Sequence, residues 1–184
     1  HHTLSVFDLV PLISFVLLRG KCRYCAKAIS WQYPLVELAT ALLFSLVFYM
    51  RGEDSVYLVF SLFVVSSLVV IFVYDLKHYL IPDAVVYAGI GVSALFLVYQ
   101  YFLGRTDGIS FLFSGLGAMS FFLAIFLASK GKAMGFGDVK LAFFMGIVLG
   151  FPSILVALSI AFLLGAVIGL MLIALQHKTL KAEV

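Results

Sequence analysis

From Val56 to Tyr74 no residue of this chain carries a charge, and a run of that length leaves few folds open. A helix gains about 1.5 Å per residue and the hydrocarbon core of a bilayer is about 30 Å thick, so roughly 20 apolar residues cross it. In lipid the backbone has to satisfy its own hydrogen bonds, which a helix does within itself. Similar segments run from about Pro34 to Met50, Asp83 to Leu103, Ile109 to Ser129 and Pro152 to Gln176, with a shorter one from Val139 to Leu149. The chain is 64% hydrophobic and 11% charged, against about a quarter charged in a soluble domain. These features predict an all-α integral membrane protein, a polytopic bundle of about six transmembrane helices (34–184). Ahead of them lies an N-terminal cytoplasmic or interfacial segment (1–33). The recurrent glycines 89, 91, 115, 117, 146, 150, 165 and 169 read as helix-packing positions, with Gly165-Ala-Val-Ile-Gly169 matching small-xxx-small spacing. No repeat of 20–50 residues stands out.

The apolar run Leu4 to Leu18 is broken by Asp8 and Pro11 and is too short to cross, so it reads as interfacial. A basic knot follows, Arg19, Lys21, Arg23 and Lys27, and Trp31 and Tyr33 fit an aromatic belt. Pro34 suits the first position of a helix. Ten of the twelve basic residues fall in loops on the N-terminal side, and only Arg51 and Arg105 on the other. The positive-inside bias makes the first side cytoplasmic, with both termini there and a plasma (inner) membrane location. No basic stripe with interleaved aromatics points to nucleic acid. Cys22 and Cys25 form Cys-Arg-Tyr-Cys on that reducing side, which argues against a disulfide. His1-His2 fits a tag remnant as well as native sequence.

Within this apolar chain, Gly135-Phe136-Gly137-Asp138-Val139-Lys140 is a polar break that opens the short fifth segment. An acid near hydrocarbon is costly and needs a purpose. The fifth segment reaches span length only if Gly135 to Asp138 contributes to it. A second acid, Asp75, ends the second segment, and the loop count puts both at one membrane face. Two carboxylates a few ångströms apart share one proton. Such a pair splits an amide with water: one takes a proton from water, the other protonates the carbonyl or leaving group. A helix N-terminus favours ionised Asp138 as the base, and a C-terminus favours protonated Asp75 as the acid. Gly135 and Gly137 let a substrate strand approach the backbone closely, and Phe136 between them is expected to plug into the bundle. Either aspartate alone also reads as a helix cap or an interfacial residue reaching water. Asp83, after Ile81-Pro82, reads as an N-cap of the next span.

Asp75-Leu-Lys-His-Tyr-Leu-Ile-Pro-Asp83, Gly135-Phe-Gly-Asp-Val-Lys140, Leu17-Leu-Arg-Gly-Lys-Cys-Arg-Tyr-Cys25 and Tyr33-Pro-Leu-Val-Glu37 together resemble the type IV prepilin peptidases, within the Gly-x-Gly-Asp class of membrane aspartyl proteases. The resemblance spans essentially the whole chain. It implies Asp75 and Asp138 as the catalytic pair, with Gly135, Phe136, Gly137 and Lys140 as motif residues at the substrate. It implies prepilin or pseudopilin substrates of type IV pili and type II secretion, with a short basic leader ahead of an apolar helix. These are cut at the cytoplasmic face, with no cofactor for the proteolysis. It also implies N-methylation of the new terminus with S-adenosylmethionine, for which spacing identifies no site. Family members pair Cys22 and Cys25 with a second Cys-x-x-Cys upstream, in a four-cysteine metal site. Here the two stand as candidate zinc ligands on their own, with His1 and His2 as stand-ins for the missing partners. Membrane helices before and after the sequence are expected too, which reads it as a core fragment.

A presenilin-like or preflagellin-type peptidase shares Tyr-Asp and Gly-x-Gly-Asp, but no Pro-Ala-Leu motif is present. A proton-coupled transporter would place its acids near the bilayer midplane. Two acids at one face favour the protease, and no Ser/His or Cys/His constellation suggests covalent catalysis.

Overall fold

The computed structural model describes residue 10 and residues 12–176. These form α1 (Ile13–Leu17), α2 (Gln32–Arg51), α3 (Ser55–His78), α4 (Asp83–Phe102), α5 (Ile109–Ala128), α6 (Phe136–Leu149) and α7 (Ser153–Gln176). Five of them, α2, α3, α4, α5 and α7, are long and apolar enough to cross a membrane. The chain is therefore a multi-pass, all-helical membrane protein. Asp8 and Pro11, which break the first apolar run, lie outside the described residues, as do His1 and His2.

The helix ends correct several expected boundaries. α2 starts at Gln32, so Pro34 is its third residue rather than its first. α3 continues to His78, three residues past Asp75, which keeps Asp75 inside its last turn. Asp83 is the first helical residue of α4, not its N-cap; the Pro82 carbonyl before it accepts from the Val85 and Val86 amides at 3.1 and 3.3 Å. α6 begins at Phe136, three residues earlier than the apolar run alone suggested. Its 14 residues rise only about 21 Å, short of a full span.

Two compact units divide the chain, residues 1–89 and 90–184. In the first, a three-residue turn joins α2 to α3. Asp54 caps α3, its carboxylate accepting from the Val56 and Tyr57 amides at 3.0 and 3.3 Å. The start of α2 meets the end of α3 along an apolar groove that includes Leu35, Val36, Phe72 and Leu76. The two helices therefore run antiparallel. Across this end the Lys77 ammonium lies 5.4 Å from the Tyr33 ring centre.

In the second unit α5 and α6 pack antiparallel at very close range. A Cβ placed on Gly146 would lie 2.5 Å from the Cα of Gly115, and one on Gly115 would lie 2.8 Å from Ile147. Only residues without side chains let the two backbones touch there. Ala118, Ala142 and Ile154 form the core beyond this crossing, with Phe122, Met145, Leu149 and Leu158 packed on it. Gly150, at φ +67°, turns the chain into α7, and a Cβ there would meet the Phe111 ring at 2.7 Å. The packing expectation thus holds for Gly115, Gly146 and Gly150. It does not hold in this structure for Gly91, Gly117, Gly165 and Gly169, where an added Cβ meets nothing within 4 Å.

Much of the apolar surface of these helices is uncovered, as for Phe102 and Leu163, which is what a chain solvated by lipid requires. Several hydroxyls along the helices are satisfied locally. Thr40, Ser66, Ser114 and Ser159 each donate to the carbonyl four residues back at 2.7–2.8 Å.

Candidate active site

The polar break at residue 135 folds into a helix start in which backbone and Asp138 side chain bond each other across the first turn. Gly135 stands at the N-cap of α6 with φ −79° and ψ 157°. Its amide donates to the Asp138 carboxylate at 3.1 Å, and the Asp138 amide donates to the Gly135 carbonyl at 3.2 Å. Asp138 is therefore the N3 partner of a capping turn, not the N-cap itself. This position holds the carboxylate beside the unpaired amides of the first turn, where a negative charge is favoured. Val139, next to it, is fully buried, so one side of the turn is locked into the bundle while Asp138 stays half-exposed.

Phe136 plugs into the bundle only in part. Its ring meets Phe126 of α5 edge-on at 5.6 Å between centres, yet it remains 44% exposed. The Lys140 ammonium, one helical turn on, lies 5.5 Å from the centre of the same ring. Lys140 is thereby held on the Phe136 side of the turn.

Asp75 is exposed, in the last turn of α3. Its backbone carbonyl accepts from the Tyr79 amide at 2.8 Å, and Tyr79, at φ 53°, ends the helix in the left-handed region. On either side of Asp75 in sequence, the Tyr74 and His78 rings meet at a tilt of 40° with centres 4.4 Å apart. Lys77 and His78 share this last turn with Asp75. Asp75 stands in the first unit and Asp138 in the second.

Cys22 and Cys25 sit in a small hairpin. Lys21 pairs with Ala28 in an antiparallel bridge. The Cys22 amide donates to the Lys27 carbonyl and the Ala26 amide to the Cys22 carbonyl, both at 2.9 Å. Neither cysteine is in a disulfide; Cys25 is exposed and Cys22 half-buried. Among the described residues no third His, Cys, Asp or Glu joins them in a metal-binding group. A structural zinc takes four ligands, so the described residues alone do not fit one.

One residue that sequence reasoning gave no separate role is Glu37. Its carboxylate accepts from the Leu12 amide at 2.8 Å, across 25 residues, and so ties the N-terminal segment to α2. An acid inside the first apolar span was the available signal.

Comparison with known proteins places these residues in a family. The Bacterial Peptidase A24 N-terminal domain matches residues 1–51, and the Type IV leader peptidase family matches residues 62–170. A prepilin leader peptidase/N-methyltransferase of Aeromonas salmonicida (strain A449) is 33% identical over 178 residues, covering 96% of this chain and 61% of that protein. Proteins of the same name from Pseudomonas aeruginosa and Bacillus subtilis (strain 168) are 29% and 32% identical, over 96% and 91% of this chain and 61% and 65% of their own lengths. The chain thus spans under two thirds of the length of these relatives. No solved structure matches it. Because the leader-peptidase match takes in both aspartates and more than half of the sequence, this chain belongs to the type IV leader peptidase family.

Proposed function

We propose that the chain is a membrane aspartic endopeptidase that removes the leader peptide of type IV prepilins or pseudopilins, with Asp75 and Asp138 as its proton-sharing pair. The observation that carries this reading is the leader-peptidase match over residues 62–170, which brackets two carboxylates set at opposite kinds of helix end. Residues 34–184 form the protease domain in this reading, and residues 1–33 its cytoplasmic or interfacial segment.

In the proposed reaction Asp138 is the base. Its position in the first turn of α6 favours the ionised carboxylate, and it takes a proton from the attacking water. The water oxygen bonds to the scissile carbonyl carbon while Asp75 gives its proton to the carbonyl oxygen. Collapse of the tetrahedral species breaks the C–N bond, and the amine leaves with a proton returned through the pair. Gly135 and Gly137 give the substrate backbone access to the turn, with Phe136 and Lys140 beside it. The ten-to-two split of basic residues supports cutting at the cytoplasmic face, with both termini on that side of the inner membrane.

Proteolysis in this scheme needs no cofactor. Methylation of the new terminus with S-adenosylmethionine is supported by the relatives named prepilin leader peptidase/N-methyltransferase. Zinc at Cys22 and Cys25 requires two further ligands from outside the described residues.

The test is a cleavage assay of a prepilin with membranes carrying the wild type, Asp75→Asn or Asp138→Asn. Each variant is expected to slow cleavage by about 10²–10⁴-fold, the contribution of one acid or base. Cleavage at the wild-type rate by either variant would show that the pair is misassigned.

A further inference from the structure

The N-terminal segment folds against the start of α2 around a cleft of about 450 Å³ that the proposed proteolysis does not use. Its walls are apolar, from Val16 on one side and Leu35 and Leu38 on the other, and Arg19 and Trp31 line it as well. Phe15 and Trp31 meet edge-on inside it, ring centres 5.0 Å apart. The cleft lies at the first two turns of α2, a candidate membrane span, which is the depth of lipid headgroups. Trp31 is 70% exposed there.

The cleft carries positive charge at that depth. Arg19 is followed by Lys21, Arg23 and Lys27 in the adjoining hairpin. Among the described residues Arg19 has no ion-pair partner, and the nearby acid Glu37 is engaged by the Leu12 amide. Arg19 also holds a left-handed backbone, φ 51°, as Leu12 does at φ 59°. Such conformations are strained in residues other than glycine and persist where the surroundings impose them. They bracket α1 and present both residues to the same cleft.

We infer that this cleft binds one anionic phospholipid, its phosphate at the Arg19 guanidinium and its acyl chain along Val16, Leu35 and Leu38. A guanidinium suits phosphate by geometry as well as charge, and basic clusters beside a membrane span select anionic lipids. A basic peptide is repelled by the same four cations, and a zwitterionic lipid uses the apolar walls but brings no net charge to Arg19. The inference rests on membrane embedding and not on the proposed peptidase activity.

Trp31 is the only tryptophan in the chain, which makes it a local reporter. The full chain is placed in phosphatidylcholine vesicles with equal mole fractions of brominated phosphatidylglycerol or brominated phosphatidylcholine, and Trp31 fluorescence is measured. The expected result is preferential quenching by the anionic lipid, corresponding to roughly fivefold selection at the site. Arg19→Gln is expected to lose that preference and Arg19→Lys to keep most of it, with helix content checked by circular dichroism. Equal quenching of the wild type by the two lipids overturns the proposal, and so does a preference unchanged in folded Arg19→Gln. Loss of the wild-type preference on adding soluble glycerol phosphate would show a site for free phosphate, and would overturn it too.

Discussion

At Asp138 one carboxylate meets two demands, holding the turn and, in the proposed reaction, accepting a proton. The two are separable. Asn keeps a side-chain oxygen for the Gly135 amide and Ala does not. Asp138→Ala is expected to lower stability by about 0.5–2 kcal/mol, the usual cost of losing such a cap. Asp138→Asn should stay near the wild type in detergent unfolding while cleavage is lost in both. Equal destabilisation of the two variants would mean that charge, not the hydrogen bond, holds the turn. Gln100 offers a second residue-scale test. It is 1% exposed on α4, and both of its amide atoms lack a hydrogen-bond partner among the described residues. A buried amide left unpaired costs about 1–3 kcal/mol, so Gln100→Met is expected to raise the unfolding midpoint. A fall in the midpoint would reveal a partner for the amide, such as an enclosed water. The expectation that Asp83 caps α4 failed at this scale. An acid after a proline is compatible with the cap and with the first helical position alike, and here the helix already includes Asp83, its first bond running from the Val86 amide to the Pro82 carbonyl.

Among the elements, the α5–α6 crossing is the most exacting. Gly146→Ala would force a methyl against the Gly115 backbone at 2.5 Å, and backbone cannot yield as a side-chain tip can. A loss of about 1–3 kcal/mol is expected. Gly165→Ala and Gly169→Ala on α7 meet nothing within 4 Å, so each should gain up to roughly 1 kcal/mol from helix propensity. Thermal unfolding of the three variants in one detergent checks the contrast, and a destabilised Gly169→Ala would show that α7 packs through that face. The existence of α2, α3, α4, α5 and α7 was legible in the sequence because bilayer thickness imposes a length on apolar runs. Their ends were less so. The last turn of α3, Asp75-Leu-Lys-His, is polar, and hydropathy stops before the helix does.

For the whole molecule the distribution of charge bears on which way it faces. Cys25 is exposed in the basic hairpin, on the side that the proposed orientation, argued from the ten-to-two charge split, makes cytoplasmic. A membrane-impermeant maleimide should therefore label Cys25 in inverted vesicles and leave it unlabelled in spheroplasts. Labelling in spheroplasts would reverse the orientation and put the proposed cleavage on the opposite face.

The sequence by itself determined that this chain lives in a membrane, about where its helices run, and that two acids stand at helix ends. Those properties follow from local composition read against the fixed thickness of a bilayer. The tertiary structure alone decided that Gly115 and Gly146 touch while Gly165 and Gly169 stand open, and that Asp138 caps from N3 beside a buried Val139. It alone decided as well that Glu37 reaches back to Leu12. Each of these depends on which surfaces meet through space, and equal spacing along a helix does not say which face finds a neighbour.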